Sequence, residues 1–180
     1  PSGGFTLVGS RTDTDDTTFG VFAHHFNEDG EPLGQAFTVN PSPEGTQVQP
    51  IVGVGPEGDA LVIYEDAPAD ASYTLSARSV GLDGPKSERF TLLSFEGVDC
   101  LKPAIAVSKR GALAYAGNIG VQVHVLGAPS MSAPEPSQTW LSTTGSQALP
   151  DITFLEGDDV LALAMIDRYT GEGDPVVKVE

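Results

Sequence analysis

Acidic, histidine and cysteine side chains are where chemistry would start in this 180-residue chain, which holds 25 Asp and Glu, three His and one Cys. The densest acidic run is Asp13, Asp15 and Asp16. Hard cations take several carboxylate and carbonyl oxygens from a flexible loop, so these three are the calcium candidates. The run lacks the glycine and the distal acid of a known calcium loop, and a solvated loop between strands explains it more simply. His24 and His25 are neighbours in an extended apolar stretch, which sends their side chains to opposite faces and stops them chelating one ion together. His124 lies in a similar stretch further on. Imidazoles converging from several strands would make a metal site, but ordinary core or half-exposed histidines need no such convergence.

Paired carboxylates such as Glu65 with Asp66, or Asp66 with Asp167, could flank a glycosidic bond. With so many acids in the chain, such pairs arise easily by chance. Cys100 is the lone cysteine, so it can form no internal disulfide, and no Cys or His spacing around it suits zinc. It sits before Leu101 and Pro103 at the entrance to an apolar strand and reads as a small buried residue rather than an activated nucleophile. The sequence has no G-x-S-x-G elbow, no G-x-x-x-x-G-K-[ST] phosphate loop and no H-E-x-x-H pair. No catalytic residue and no cofactor are expected. Trp140, Tyr73, Tyr64 and Tyr169 are stacking platforms for sugars or, more simply, packing residues.

These side chains must be held by short strands, because the chain repeats itself about every fifty residues. GTQVQPIVGV, GVDCLKPAIAV and GSQALPDITF begin at Gly45, Gly97 and Gly145, and each is followed by a tight turn and a second apolar strand. GGFTLVGSR at Gly3 is a further copy of that second strand. The first full repeat runs FGVFAHHF, GQAFTVN, QPIVGVG, ALVIYED, with Asp29-Gly30 as a hairpin signal. The second runs SYTLSARSV, ERFTLLSF, PAIAV, ALAYAG, with a turn at Asp83-Gly84, and the third runs GVQVHVL, QTWLST, DITFL, VLALAMI before PVVKVE opens another. The pattern predicts fourteen strands in an all-β, β-propeller-like array. It comprises a partial blade over 1–16, four-stranded antiparallel blades over 17–70, 71–118 and 119–173, and a starter strand over 174–180. The fourth strands of the blades are nearly continuous apolar runs, which predicts cover on both faces. Asp66, Asn118 and Asp167, which end those runs, read as turn formers.

Composition agrees. Hydrophobic residues make up 39% of the chain, enough for one domain with a core. The 21 Gly and 14 Pro fall between strand-forming runs and act as punctuation. A net charge of −16 repels phosphate backbones and anionic headgroups, which disfavours nucleic acid and membrane surfaces. No stretch approaches the roughly 20 apolar residues of a membrane-spanning helix. The chain starts without Met or a leader pattern, and is expected to be a mature or excised piece.

The residues from Phe19 to Asp66 resemble the tandem β-propeller-like repeats of large secreted bacterial surface proteins, whose consensus is roughly YAQRFDxxGxxxGxxFxVN followed by GxQxxPxVAxxxxGGFVVxW. Phe26, Gly30, Gly34, Phe37, Val39, Asn40, Gln47 and Pro50 carry the match. Tyr64 takes the place of the closing aromatic, whereas Ala116 and Ala164 stand there in the later repeats. Ser137 to Trp140 resembles the tail of a sialidase Asp-box without its Asp and Gly. The first resemblance implies extracellular or cell-surface display and adhesion rather than catalysis.

Two readings of function follow. The first is a non-catalytic interaction, adhesion or assembly module that meets a protein partner, its own copy through open strand edges, or a glycan. The second is part of a carbohydrate-active propeller enzyme with carboxylates at the blade ends. A deep pocket of converging acids would favour the enzyme, and a flat or apolar exposed surface the module.

Overall fold

The computed structural model describes residues 3–12, 18–41, 44–55, 58–67, 73–94, 103–107, 113–117, 122–126, 138–142, 146–154, 161–168 and 176–179. Among them every regular element is a strand: β1 (Phe5–Thr12), β2 (Phe19–Phe26), β3 (Pro32–Thr38), β4 (Thr46–Val54), β5 (Ala60–Ala67), β6 (Thr74–Gly81), β7 (Gly84–Pro85), β8 (Phe90–Ser94), β9 (Ala104–Val107), β10 (Leu113–Gly117), β11 (Gln122–Leu126), β12 (Gln138–Ser142), β13 (Ser146–Phe154), β14 (Leu161–Arg168) and β15 (Val176–Val179). Each of the fourteen stretches read as strands carries one, and β7 is an additional two-residue pairing.

The chain divides into two compact units, residues 1–100 with 131–133, and residues 101–130 with 134–180. In the first unit a three-stranded sheet runs β1-β2-β3, and a second sheet runs β4-β5-β6 with β7 and β8 both paired along β6. In the second unit a third sheet runs β12-β11-β10-β9 and a fourth runs β13-β14-β15. All neighbours are antiparallel.

The sheets are half a repeat out of phase with the blades drawn from sequence. The second and third sheets join the third and fourth strands of one repeat to the first and second strands of the next, while the first sheet joins a fourth strand to a first and second, and the last joins a third and fourth to a first. The junction drawn between residues 70 and 71 therefore falls inside the second sheet, where β5 pairs with β6 from Ala60↔Val80 to Asp66↔Thr74. The junction at 118–119 falls inside the third, where Gly117 pairs with Gln122. Antiparallel strands need only a short connection, so consecutive strands pair wherever the chain reverses at once. The change of sheet comes instead after Thr38, where Asn40 and Pro41 lead into β4.

The repeated Gly-x-Gln-x-x-Pro has a backbone reason. Proline lacks the N–H that a ladder needs and is tolerated at a bulge. In β4 the register shifts between Val48 and Ile51, around Pro50, and Gln49 adopts φ 52°. In β13 the same shift falls between Ala148 and Asp151, around Pro150. Both bulges keep the motif glutamine opposite an aspartate, as Gln47↔Asp66 and Gln147↔Asp167.

Every residue of β5 from Ala60 to Asp66 is buried, as its continuous apolar run predicts. Ala60, Val62 and Tyr64 of β5 and Val80 of β6 form one core with Val21, Ala23 and Val39 of the first sheet. On the other face of the second sheet Leu61, Ile63, Leu75 and Ala77 are fully buried. In the second unit β9 and β10 lie against β13.

The β2–β3 turn closes around Asn27, whose Oδ1 accepts from the N–H of Asp29 and of Glu31 at 3.1 and 2.8 Å, with Gly30 at φ 79°. In the β6–β7 turn Gly81 pairs with Gly84, so the central residues are Leu82 and Asp83, one position earlier than the Asp-Gly pair suggested.

Candidate interaction surface

One face of the first sheet is fastened to the second by a polar chain. Asn40 Oδ1 accepts from the Val21 N–H at 2.8 Å, and its Nδ2 donates to Gln47 Oε1 at 3.0 Å. Gln47 Nε2 donates to Asp66 Oδ1 at 3.0 Å and to the Glu44 carbonyl at 2.8 Å. Asp66 also accepts from Ser76 Oγ at 3.5 Å and pairs with Arg89. Asp66 is therefore a buried member of β5, not the turn former that its place at the end of an apolar run suggested. A buried polar group must find a partner, and here the partners come from both sheets. Replacing Asn40 by Ala is expected to cost about 1–3 kcal/mol, because it takes a partner from the Val21 N–H and from Gln47. Urea unfolding of Asn40→Ala checks this, and an unchanged midpoint would contradict it.

His25 belongs to the same fastened face. Its ring lies 2.9 Å from the Gly81 carbonyl through Nε2 and 2.8 Å from Thr6 Oγ1 through Nδ1. A carbonyl only accepts, so Nε2 carries the proton and, in the neutral ring, Nδ1 accepts from Thr6.

Tyr64 is fully buried, so it offers no platform to a sugar, and its hydroxyl has no hydrogen-bond partner. Burial, and then the nearby Asp66 carboxylate, hold its phenol far above the usual range. The unfolded chain ionises near the ordinary value of about 10. Stability from the protonated phenol is thus complete below that pH and is lost as pH rises above it. Alkaline unfolding followed by circular dichroism is expected to begin above pH ~10 and to be delayed in Tyr64→Phe. Identical alkaline midpoints would contradict this.

The opposite face of the first sheet is the candidate surface. Strand alternation puts Phe5, Leu7, Gly9 and Arg11 of β1 on it, with Phe22, His24 and Phe26 of β2 across from them. Phe5 stacks on Phe26 at 4.9 Å, His24 tilts against Phe26 at 4.6 Å, and the Arg11 guanidinium lies 5.5 Å from the centre of the Phe22 ring. Phe5 is 52% and Leu7 45% exposed. Large apolar side chains held in one row and left in water mark an interaction surface. Among the described residues β1 has a ladder partner on one side only. Sequence reasoning missed this row because it traced repeats. The available signal was period-2 apolarity on both faces of FGVFAHHF in a strand next to an edge.

The other candidates are scattered. His24 and His25 point to opposite faces, as adjacency requires, and the His24 ring contacts the Gly34 carbonyl at 3.3 Å. Glu65 and Asp66 are both buried and alternate across β5. Asp167 lies in β14, His124 in β11 and Trp140 in β12. Asp13, Asp15, Asp16, Cys100, Asn118 and Tyr169 lie outside the described residues. Among the described residues no three His, Cys, Asp or Glu side chains are grouped to hold a metal ion, and no helix is long and apolar enough to cross a membrane. Comparison with protein-family models gives no match, and comparison with curated proteins gives none either.

Proposed function

We propose that the chain is a non-catalytic interaction module of the β-propeller-like repeat type, displayed outside the cell, that binds a protein through the open face and edge of its first sheet. The observation that carries the reading is the Phe5, Leu7, Phe22, Phe26 row, ordered by the sheet, in which Phe5 and Leu7 are left in water and Phe22 and Phe26 are half-buried beside them. Four antiparallel sheets built from one repeat, and the resemblance of Phe19–Asp66 to surface-protein repeats, support the blade and display parts of it. Acids do not favour the enzyme reading in the first unit, because Asp66 is consumed by Gln47, Ser76 and Arg89.

A photo-reactive amino acid at position 7 in the producing cells tests the reading. Irradiation is expected to give a discrete covalent adduct with a protein. Absence of any protein adduct, together with glycan binding or cleavage by the purified chain, would overturn it in favour of a carbohydrate-active role.

A further inference from the structure

Resting on that docking reading, we infer that the open edge of β1 takes a strand of the repeat's third type from another polypeptide, with a carboxylate placed opposite Arg11. The argument comes from what lies beside the counterparts of β1. These fourth strands are β5, β10 and β14, and each lies between two others. On one side they pair with a first strand, β6, β11 or β15, and on the other with a third strand, β4, β9 or β13. β1 pairs with its first strand, β2, and among the described residues with nothing on its other side. Natural sheets blunt such an edge by keeping it short, or by proline, a bulge or charge. β1 has only the last, in Arg11: its eight residues hold no proline and pair with β2 in unbroken register from Phe5↔Phe26 to Thr12↔Phe19. An unpaired edge of that length offers main-chain N–H and C=O groups to an extended peptide.

The ladders of the other sheets give the incoming strand its pattern. Matching GGFTLVGSR to GDALVIYED puts Leu7 where Val62 stands and Arg11 where Asp66 stands, each with its partner on the following strand. Val62 faces Val52 of β4, and Leu163 faces Ile152 of β13, so an apolar residue belongs opposite Leu7. Further along, Gln47 faces Asp66 and Gln147 faces Asp167. There the acid is met by an amide that donates to it, as Gln47 Nε2 does to Asp66 Oδ1 at 3.0 Å. In β1 a cation replaces the acid, so the facing residue must accept, and a carboxylate accepts with opposite charge. Arg11 is exposed, and among the described residues no carboxylate pairs with it. A strand that brings Lys or Arg to that place is repelled, which makes Arg11 a filter on partners. The recognised segment therefore has an acid, a proline three residues on for the bulge, and an apolar residue two beyond that. This is the spacing of Gln47, Pro50 and Val52 and of Gln147, Pro150 and Ile152. A net charge of −16 disfavours a partner that is acidic elsewhere.

The test offers the full chain two synthetic peptides that copy residues 45–54, one with Gln47→Glu and one with Gln47→Lys. Hydrogen exchange read by mass spectrometry is expected to show the Glu peptide, at up to about 1 mM, slowing exchange of the β1 amides as a new ladder forms on that edge. The Lys peptide is expected to bind at least ~5-fold more weakly, and Arg11→Glu to reverse the order of the two peptides. Arg11→Gln serves should Arg11→Glu fail to fold, and is expected to abolish the preference. Equal binding of both peptides to the wild type would overturn selection through Arg11. Unchanged β1 exchange with either peptide would overturn the third-type strand as occupant, while a position-7 adduct with a protein would in that case leave the docking reading itself standing.

Discussion

Arg89→Ala is expected to destabilise the fold by about 3 kcal/mol, more than its half-exposed position suggests. The Arg89 side chain is 44% exposed, whereas that of its partner Asp66 is only 4% exposed. Removing the arginine leaves a carboxylate in the interior with hydrogen bonds from Gln47 and Ser76 but no countercharge. Uncompensated buried charge is what makes a broken pair costly, typically about 3–5 kcal/mol, and water entering the vacated space places this case at the lower end. The asymmetry is the useful part. Asp66→Asn combined with Arg89→Ala removes the stranded charge while keeping the acceptor for Gln47, so the double variant is expected to recover a good part of the loss. Urea denaturation of the wild type, both single variants and the double variant closes the cycle. Strict additivity would show that the two residues do not act as a pair.

Tyr64→Ala is expected to cost about 3–5 kcal/mol, while Tyr64→Phe changes stability by less than ~1 kcal/mol and in the stabilising direction. The ring is the largest fully buried side chain and belongs to the core that Val21, Ala23 and Val39 share with Ala60, Val62 and Val80. Its hydroxyl is buried without a partner, so deleting it removes a desolvation cost and no bond. Thermal unfolding of the two variants separates ring from hydroxyl. A Phe variant as damaged as the Ala variant would mean that the hydroxyl is bonded in solution.

Much of the architecture was legible in the residues. Strand positions followed from apolar runs between Gly and Pro, and the double-sided burial of β5 followed from the unbroken run ALVIY. The grouping of strands into sheets was not legible, because a repeat has no intrinsic starting point. FGVFAHHF reads equally well as the first strand of one blade or as the third of a sheet begun earlier, and only the pairings Asp66↔Thr74 and Gly117↔Gln122 decide the phase. Asp66 was misread for a related reason. Aspartate at the end of an apolar run usually turns the chain, and its partners Gln47 and Arg89 are distant in sequence. The front row of the first sheet escaped notice because Phe5 and Leu7 look like core residues until the covering face is found to be on their other side.

The most direct test of the account is the solvent access of position 7. In Leu7→Cys, with Cys100 replaced by Ser to leave one thiol, maleimide labelling is expected to be fast in the dilute native protein, because Leu7 is 45% exposed. A thiol that is protected even in dilute solution would mean the face is buried within the chain and is no docking surface at all.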